Sequence, residues 1–301
     1  MKKIPFPVLL KEAWQATFSQ KTPWVFGFFI ATASVLVQMF NRDLISLQIQ
    51  SFEDLFRFIT EKTPEEITLA CLFLLALFLV HSFGTGNLIK SLSFLIKKPS
   101  ALHSLFSFHF LWKNFSLTLI IECVFFFLIL FLLGIFSLPF FVASQINPAV
   151  IPLLQSLAFF LFLPLLLILS LLKRFSLFYA LFSSLRLRVV FETASLLLSR
   201  FFSASLLFFF FTLILTLLFT FLVNIAILTS TVLVEQNILP FTEFSVRFFL
   251  SLLFFSWFSV FENALWIAFF KSLASPRVTK KITKGEESLI EENVLVETPF
   301  V

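Results

Sequence analysis

Four polar side chains interrupt long apolar stretches of this chain: His81, Glu122, Glu262 and Asn263. The last two stand together inside FSWFSVFENALWIAFFKSL, residues 255–273. One imidazole and two carboxyls can exchange protons, and the Asn263 amide adds both donors and an acceptor. A charged side chain at the centre of a membrane-crossing helix costs about 2.5–3.5 kcal/mol on insertion scales, so such groups turn inward and seek partners. His81 lies nine residues before Lys90, Glu122 nine after Lys113, and Glu262 nine before Lys271. If those lysines mark one membrane edge, a rise of 1.5 Å per residue places all three groups about 13 Å beneath it. The expectation is one inward-facing cluster at a common depth. It reads either as a proton- or substrate-binding site or as polar glue between helices, the latter averaging about 0.6 kcal/mol per contact. Next to His81, the run Ser82, Gly84, Thr85, Gly86, Asn87 is expected to break its helix and line a small aqueous cavity, with Pro164 a second candidate break.

Positioning these groups requires membrane helices. Of 301 residues, 59% are hydrophobic and 13% charged, against about 25% charged in soluble domains. Several uncharged windows exceed the roughly 18 apolar residues of a transmembrane signature. The fold class is therefore all-α: a polytopic helical bundle with six spans, at 23–40, 66–89, 116–141, 149–172, 203–229 and 246–270. Thr22-Pro23 reads as N-cap and first helical residue. Thr63-Pro64-Glu65-Glu66 reads as the same device with a capping box. The 50 phenylalanines fit either an AT-rich coding sequence or a lipid-binding surface.

The cations set the threading. Eighteen of the 22 lysines and arginines fall in the N-terminal segment, the connections after spans two and four, and the C-terminal tail. Arg42, Arg57, Lys62 and Arg247 fall on the other side. The positive-inside rule then places both termini in the cytoplasm, in the cell membrane. Lys11 and Glu12 interrupt any early apolar core, so the first span reads as retained rather than as a signal peptide. A short surface helix is expected around Ser51–Ile59. Residues 274–301, basic then acidic, read as a disordered cytoplasmic tail beyond the 1–273 membrane domain.

The inner connections carry helical patterns of their own. Residues 6–20 place Phe6, Leu9, Ala13 and Trp14 on one face; residues 188–202 place Val190, Ala194 and Leu197 on one face; residues 100–112 are a weaker version. Each precedes an odd-numbered span, which suggests three copies of an amphipathic interfacial helix followed by a membrane hairpin. Lys97, Lys98, Lys173, Arg174, Arg186 and Arg188 would then lie among lipid headgroups. The alternative is that these helices simply anchor the connections. Membrane lipids are the expected partners. The net charge of +5 reflects threading rather than nucleic-acid binding.

Enzyme motifs are missing from the sequence. Its two aspartates, Asp43 and Asp54, both lie between spans one and two, which excludes paired intramembrane aspartates. It has no nucleophile elbow, no H-E-x-x-H and no P-loop. Cys71 and Cys123 fall at different depths, and no metal-ligand spacing occurs. No catalytic residue, metal or cofactor is expected, and the protein reads as non-enzymatic.

Four stretches carry a resemblance: KEAWQATFSQKTPWVFGFFIA, GNLIKSLSFLIKKPSALHSLFSFHFLWKNF, VVFETASLLLSRFFSASLLFF and ENALWIAFFKSL. Over about residues 5–273 the chain resembles uncharacterised bacterial six-helix membrane proteins related to the membrane domain of glycerophosphoryl diester phosphodiesterases. That resemblance implies the six-span fold and no assigned catalytic residue. A catalytic (β/α)₈ barrel takes roughly 200 residues or more, so phosphodiesterase activity is not expected of this chain. The function expected is membrane or envelope maintenance or lipid handling, with a transporter or permease component using the His/Glu layer as the alternative.

Overall fold

The computed structural model describes residues 6–19, 21–46, 63–95, 107–146, 151–183, 186–236 and 242–273. Among them are eight helices: α1 (Phe6–Ser19), α2 (Thr22–Ser46), α3 (Pro64–Leu95), α4 (Phe108–Ile146), α5 (Ile151–Phe182), α6 (Leu187–Arg200), α7 (Phe202–Glu235) and α8 (Glu243–Leu273). No strand occurs among the described residues. Helices α3, α4, α5, α7 and α8 are long and apolar enough to cross a membrane. The apolar part of α2, Thr22–Gln38, is shorter. Much of the apolar surface faces outward: Phe127, Phe131, Leu217 and Leu228 are each more than 60% exposed. Water would penalise so large an apolar surface, whereas lipid does not. The molecule is an all-α membrane protein.

Helix starts follow local chemistry. At α3, the Glu66 amide donates to Thr63 Oγ1 (3.3 Å) while the Thr63 amide donates to Glu66 Oε2 (3.0 Å). This is the expected capping box, with Pro64 opening the helix. Thr242 receives the Ser245 amide at the start of α8, and Ser107 receives the Phe110 amide at the start of α4. Helix α2 begins at Thr22 itself.

Helix ends depart from expectation. The predicted breaks at Gly84, Gly86 and Pro164 do not occur: α3 and α5 run through them as continuous helix. Within a bilayer, uninterrupted helix satisfies every backbone group, and small residues serve better as contact surface than as breaks. Helix α5 also continues to Phe182, ten residues past the expected end of its span at 172. The continuation, Phe175–Phe182, is itself apolar, and most of it is buried. The segment 100–112 is not a separate helix where it is described, because Phe108–Trp112 opens α4. The expected surface helix at 51–59, the tail 274–301, and Lys97 and Lys98 lie outside the described residues.

The chain divides into two compact units. The first takes its described residues from Met1–Phe115 and Thr212–Ser272. Here α2 runs between α3 and α8. A Cβ on Gly27 would lie 2.7 Å from the Ser256 carbonyl oxygen and 2.7 Å from Val260 Cγ2; one on Gly84 would lie 2.8 Å from Ile30 Cγ1 and 3.0 Å from the Phe26 carbonyl oxygen. Only glycine permits backbones to approach so closely. Ring contacts of Phe83 with Phe26 (6.4 Å) and Phe29 (5.3 Å) extend the α2–α3 seam. Helix α1 is fixed by Trp14 against Trp257 and by Trp24 Nε1 donating to the Thr17 carbonyl (2.9 Å). The second unit takes its described residues from Ser116–Phe211, with α6 packed on α5.

Candidate functional site

Of the four predicted polar residues, His81, Glu262 and Asn263 belong to the first unit and Glu122 to the second. His81 follows the exposed, apolar half of α3, at the point where that helix becomes enclosed. It lines a groove of about 430 Å³ between α2 and α3, whose walls include Ala33, Val37, Leu74 and Leu77, with Ser34 and Gln38 as the other polar members. Asn263 spends its amide on its own helix, Nδ2 donating to the Ser259 carbonyl at 2.8 Å. Glu262 is half-buried on the enclosed C-terminal half of α8, where Ala264–Phe270 is buried without a gap.

Glu122 has a partner that the sequence did not signal. Its carboxylate lies 3.5 Å from the Lys173 ammonium, with the glutamate side chain 2% exposed and the lysine side chain 36%. Lys173 was expected among lipid headgroups; its ammonium also has this carboxylate as a partner. The continuation of α5 explains this. With seven of the nine following residues apolar, Lys173 lies well inside its helix, and a buried carboxylate offsets part of its desolvation. The available signal was that FSLFYALF after Lys173 is as apolar as the span before it. Arg186 is exposed, and Arg188 pairs with Glu192 at 2.9 Å on the exposed face of α6. Arg174 is half-buried.

A second polar contact that the sequence reading missed joins α3 to α4. Asn114 Nδ2 donates to Asn87 Oδ1 at 3.2 Å, and Asn87 Nδ2 donates to the Phe83 carbonyl at 3.0 Å. Both asparagines are buried. The polar stretch after His81 therefore makes helix contacts rather than lining an aqueous cavity: Ser82 and Asn87 are completely buried and Gly84 touches α2.

Both cysteines are free thiols. No group of histidine, cysteine and acidic side chains that could hold a metal occurs among the described residues. Fold and site together define a multi-pass helical membrane protein with a lateral groove and a buried ion pair. No protein-family model, curated protein or solved structure matches the chain.

Proposed function

We propose that this chain is a non-enzymatic protein of the bacterial cytoplasmic membrane that handles lipid in membrane or envelope maintenance. The observation that carries this reading is the groove between α2 and α3. Its roughly 430 Å³ falls in the ligand-pocket range of about 300–1,000 Å³. Its walls are apolar, and it borders the half of α3 that presents Leu69, Leu72 and Leu75 outward. An acyl chain in the bilayer meets such a groove without crossing water. His81 supplies one hydrogen-bonding group there.

The reading includes six crossings with both termini in the cytoplasm. Helix α2 supplies the sixth: its 25 residues extend about 37 Å, more than the roughly 30 Å hydrocarbon core. Under this threading α1 and α6 are amphipathic interfacial helices. Exposed Trp14 and Phe18 and the polar Arg188–Glu192 face support that placement. The resemblance to phosphodiesterase membrane domains agrees with a lipid role.

The test uses the full chain in nanodiscs containing a phospholipid with a photoreactive acyl chain. Crosslinks should concentrate on peptides 33–38 and 74–81, and Val37→Trp, which fills the groove from its half-exposed wall, should reduce them several-fold. Labelling spread evenly over the apolar helices would defeat the proposal.

The buried Glu122–Lys173 pair favours a second reading, a transporter or permease component working through the polar layer of His81, Glu122, Glu262 and Asn263. Flux into proteoliposomes that is abolished by Glu122→Gln and Glu262→Gln would establish it in place of lipid handling.

A further inference from the structure

The second unit holds more polarity around Glu122 than one ion pair needs. Two contacts fix how α4 and α5 run: Glu122 meets Lys173 at 3.5 Å, and the rings of Phe136 and Phe162 meet at 5.3 Å. Numbers rise along one helix as they fall along the other, so the pair is antiparallel. In that register Thr118 is level with Leu177–Ala180, and Ser176 is level with Leu119–Glu122. Thr118 lies one turn from Glu122 on the same face of α4, and Ser176 one turn from Lys173 on the same face of α5. Two hydroxyls, a carboxylate and an ammonium therefore gather where these faces meet.

Thr118 and Ser176 are completely buried, and neither hydroxyl oxygen has a hydrogen-bond partner among the described residues. Thr85, Ser205 and Ser256 are likewise buried without a partner among the described residues, but Thr118 and Ser176 each stand one turn from a member of an ion pair. Thr17, Thr32, Ser34, Thr193 and Thr216 each donate to the carbonyl one turn back, the ordinary resting state of a helical hydroxyl. A buried polar atom without a partner calls for a specific explanation, an ordered water foremost. An internal water takes two to four polar partners, and this centre offers four groups within about one turn.

We propose that Glu122, Lys173, Thr118 and Ser176 form a water-binding centre inside the membrane domain. Its ligand class is water, and with it protons. Water bridges each hydroxyl to the ion pair. A proton passed from the Lys173 ammonium through water to the Glu122 carboxylate leaves a neutral amine and a neutral acid. The centre thus interconverts charged and neutral forms with no net charge entering the bilayer. The partly exposed Lys173 side chain opens it to exchange. This inference concerns the second unit alone and stands whether or not the groove in the first unit binds lipid.

Water-edited solid-state NMR on the ¹³C-labelled full chain in lipid bilayers tests it. Magnetisation from water should reach Glu122 Cδ and Thr118 Cβ several-fold faster than it reaches buried Leu171. Equal rates would overturn the proposal. The double substitution Thr118→Val, Ser176→Ala should slow transfer to Glu122 several-fold, and undiminished transfer would remove the hydroxyls from the centre. Thermal unfolding gives an independent sign. Removing a dry orphan hydroxyl raises the melting temperature, whereas removing one that holds water lowers it, so a rise in the double variant also counts against the proposal.

Discussion

Glu122 and Lys173 illustrate how a bilayer constrains single side chains. Neither charge is at ease alone, and truncating one leaves the other without compensation. Glu122→Gln should therefore destabilise the protein toward the lower end of the roughly 3–5 kcal/mol seen for broken buried pairs, because the Lys173 side chain keeps 36% exposure. Replacing both by methionine should recover most of that loss. Unfolding in mild detergent measures both, and additive losses would mean the two side chains are not coupled. Glycines provide a graded comparison. Gly27→Val forces a side chain onto the α8 backbone and Gly84→Val onto α2, whereas a Cβ on Gly134 meets nothing within 4 Å. The first two should cost about 1–3 kcal/mol or more, as overpacking does, and Gly134→Val close to nothing. A similar cost at all three would refute the close approaches. The sequence offered little warning of these roles. It located Glu122 as an intramembrane charge, but helix azimuth decides its partner, and azimuth is set by packing between distant segments. Gly27 attracted no notice because an isolated glycine in an apolar span looks the same whether it faces lipid or a neighbouring backbone.

Helices were legible in proportion to how local their determinants are. The start of α3 was readable because Thr63 and Glu66 form its cap within four residues. Its interior was misread because glycine weakens an isolated helix, while a bilayer enforces helix and uses the small residues as a seam. The end of α5 was misread because Lys173 and Arg174 looked like an edge, yet the helix continues through both to Phe182 and Lys173 pairs with a carboxylate on α4. The Asn87–Asn114 contact ties α3 to the first turns of α4. Asn114→Leu should loosen this joint by about 0.6–1.7 kcal/mol, the range measured for hydrogen bonds between membrane helices. Faster backbone amide exchange confined to the C-terminal turns of α3 and the N-terminal turns of α4 would report it; exchange raised throughout the chain would instead mean global destabilisation.

Threading is a property of the whole molecule. Six crossings with cytoplasmic termini require α2 to cross despite its shorter apolar stretch. With Cys71 and Cys123 replaced by serine, a cysteine at Ser51 should react with a membrane-impermeant maleimide in intact cells, and one at Ser275 only after permeabilisation. A cysteine at Lys3, on the far side of α2 from Ser51, should also stay protected until permeabilisation, and its labelling in intact cells together with position 51 would refute the sixth crossing. The membrane class and the five longer helices were evident from hydropathy alone, since lipid rewards composition regardless of order. The division into two units was not, because it depends on which helices touch.

The sandwiching of α2 has a consequence for biogenesis. Gly27 is moulded to Ser256 and Val260, and the ribosome makes α8 long after α2, on the order of ten seconds or more at 5–20 residues per second. Until then one flank of α2 lacks its protein neighbour. A message truncated before residue 243 would release a chain whose α2 never receives its final neighbour, a natural target for membrane proteases.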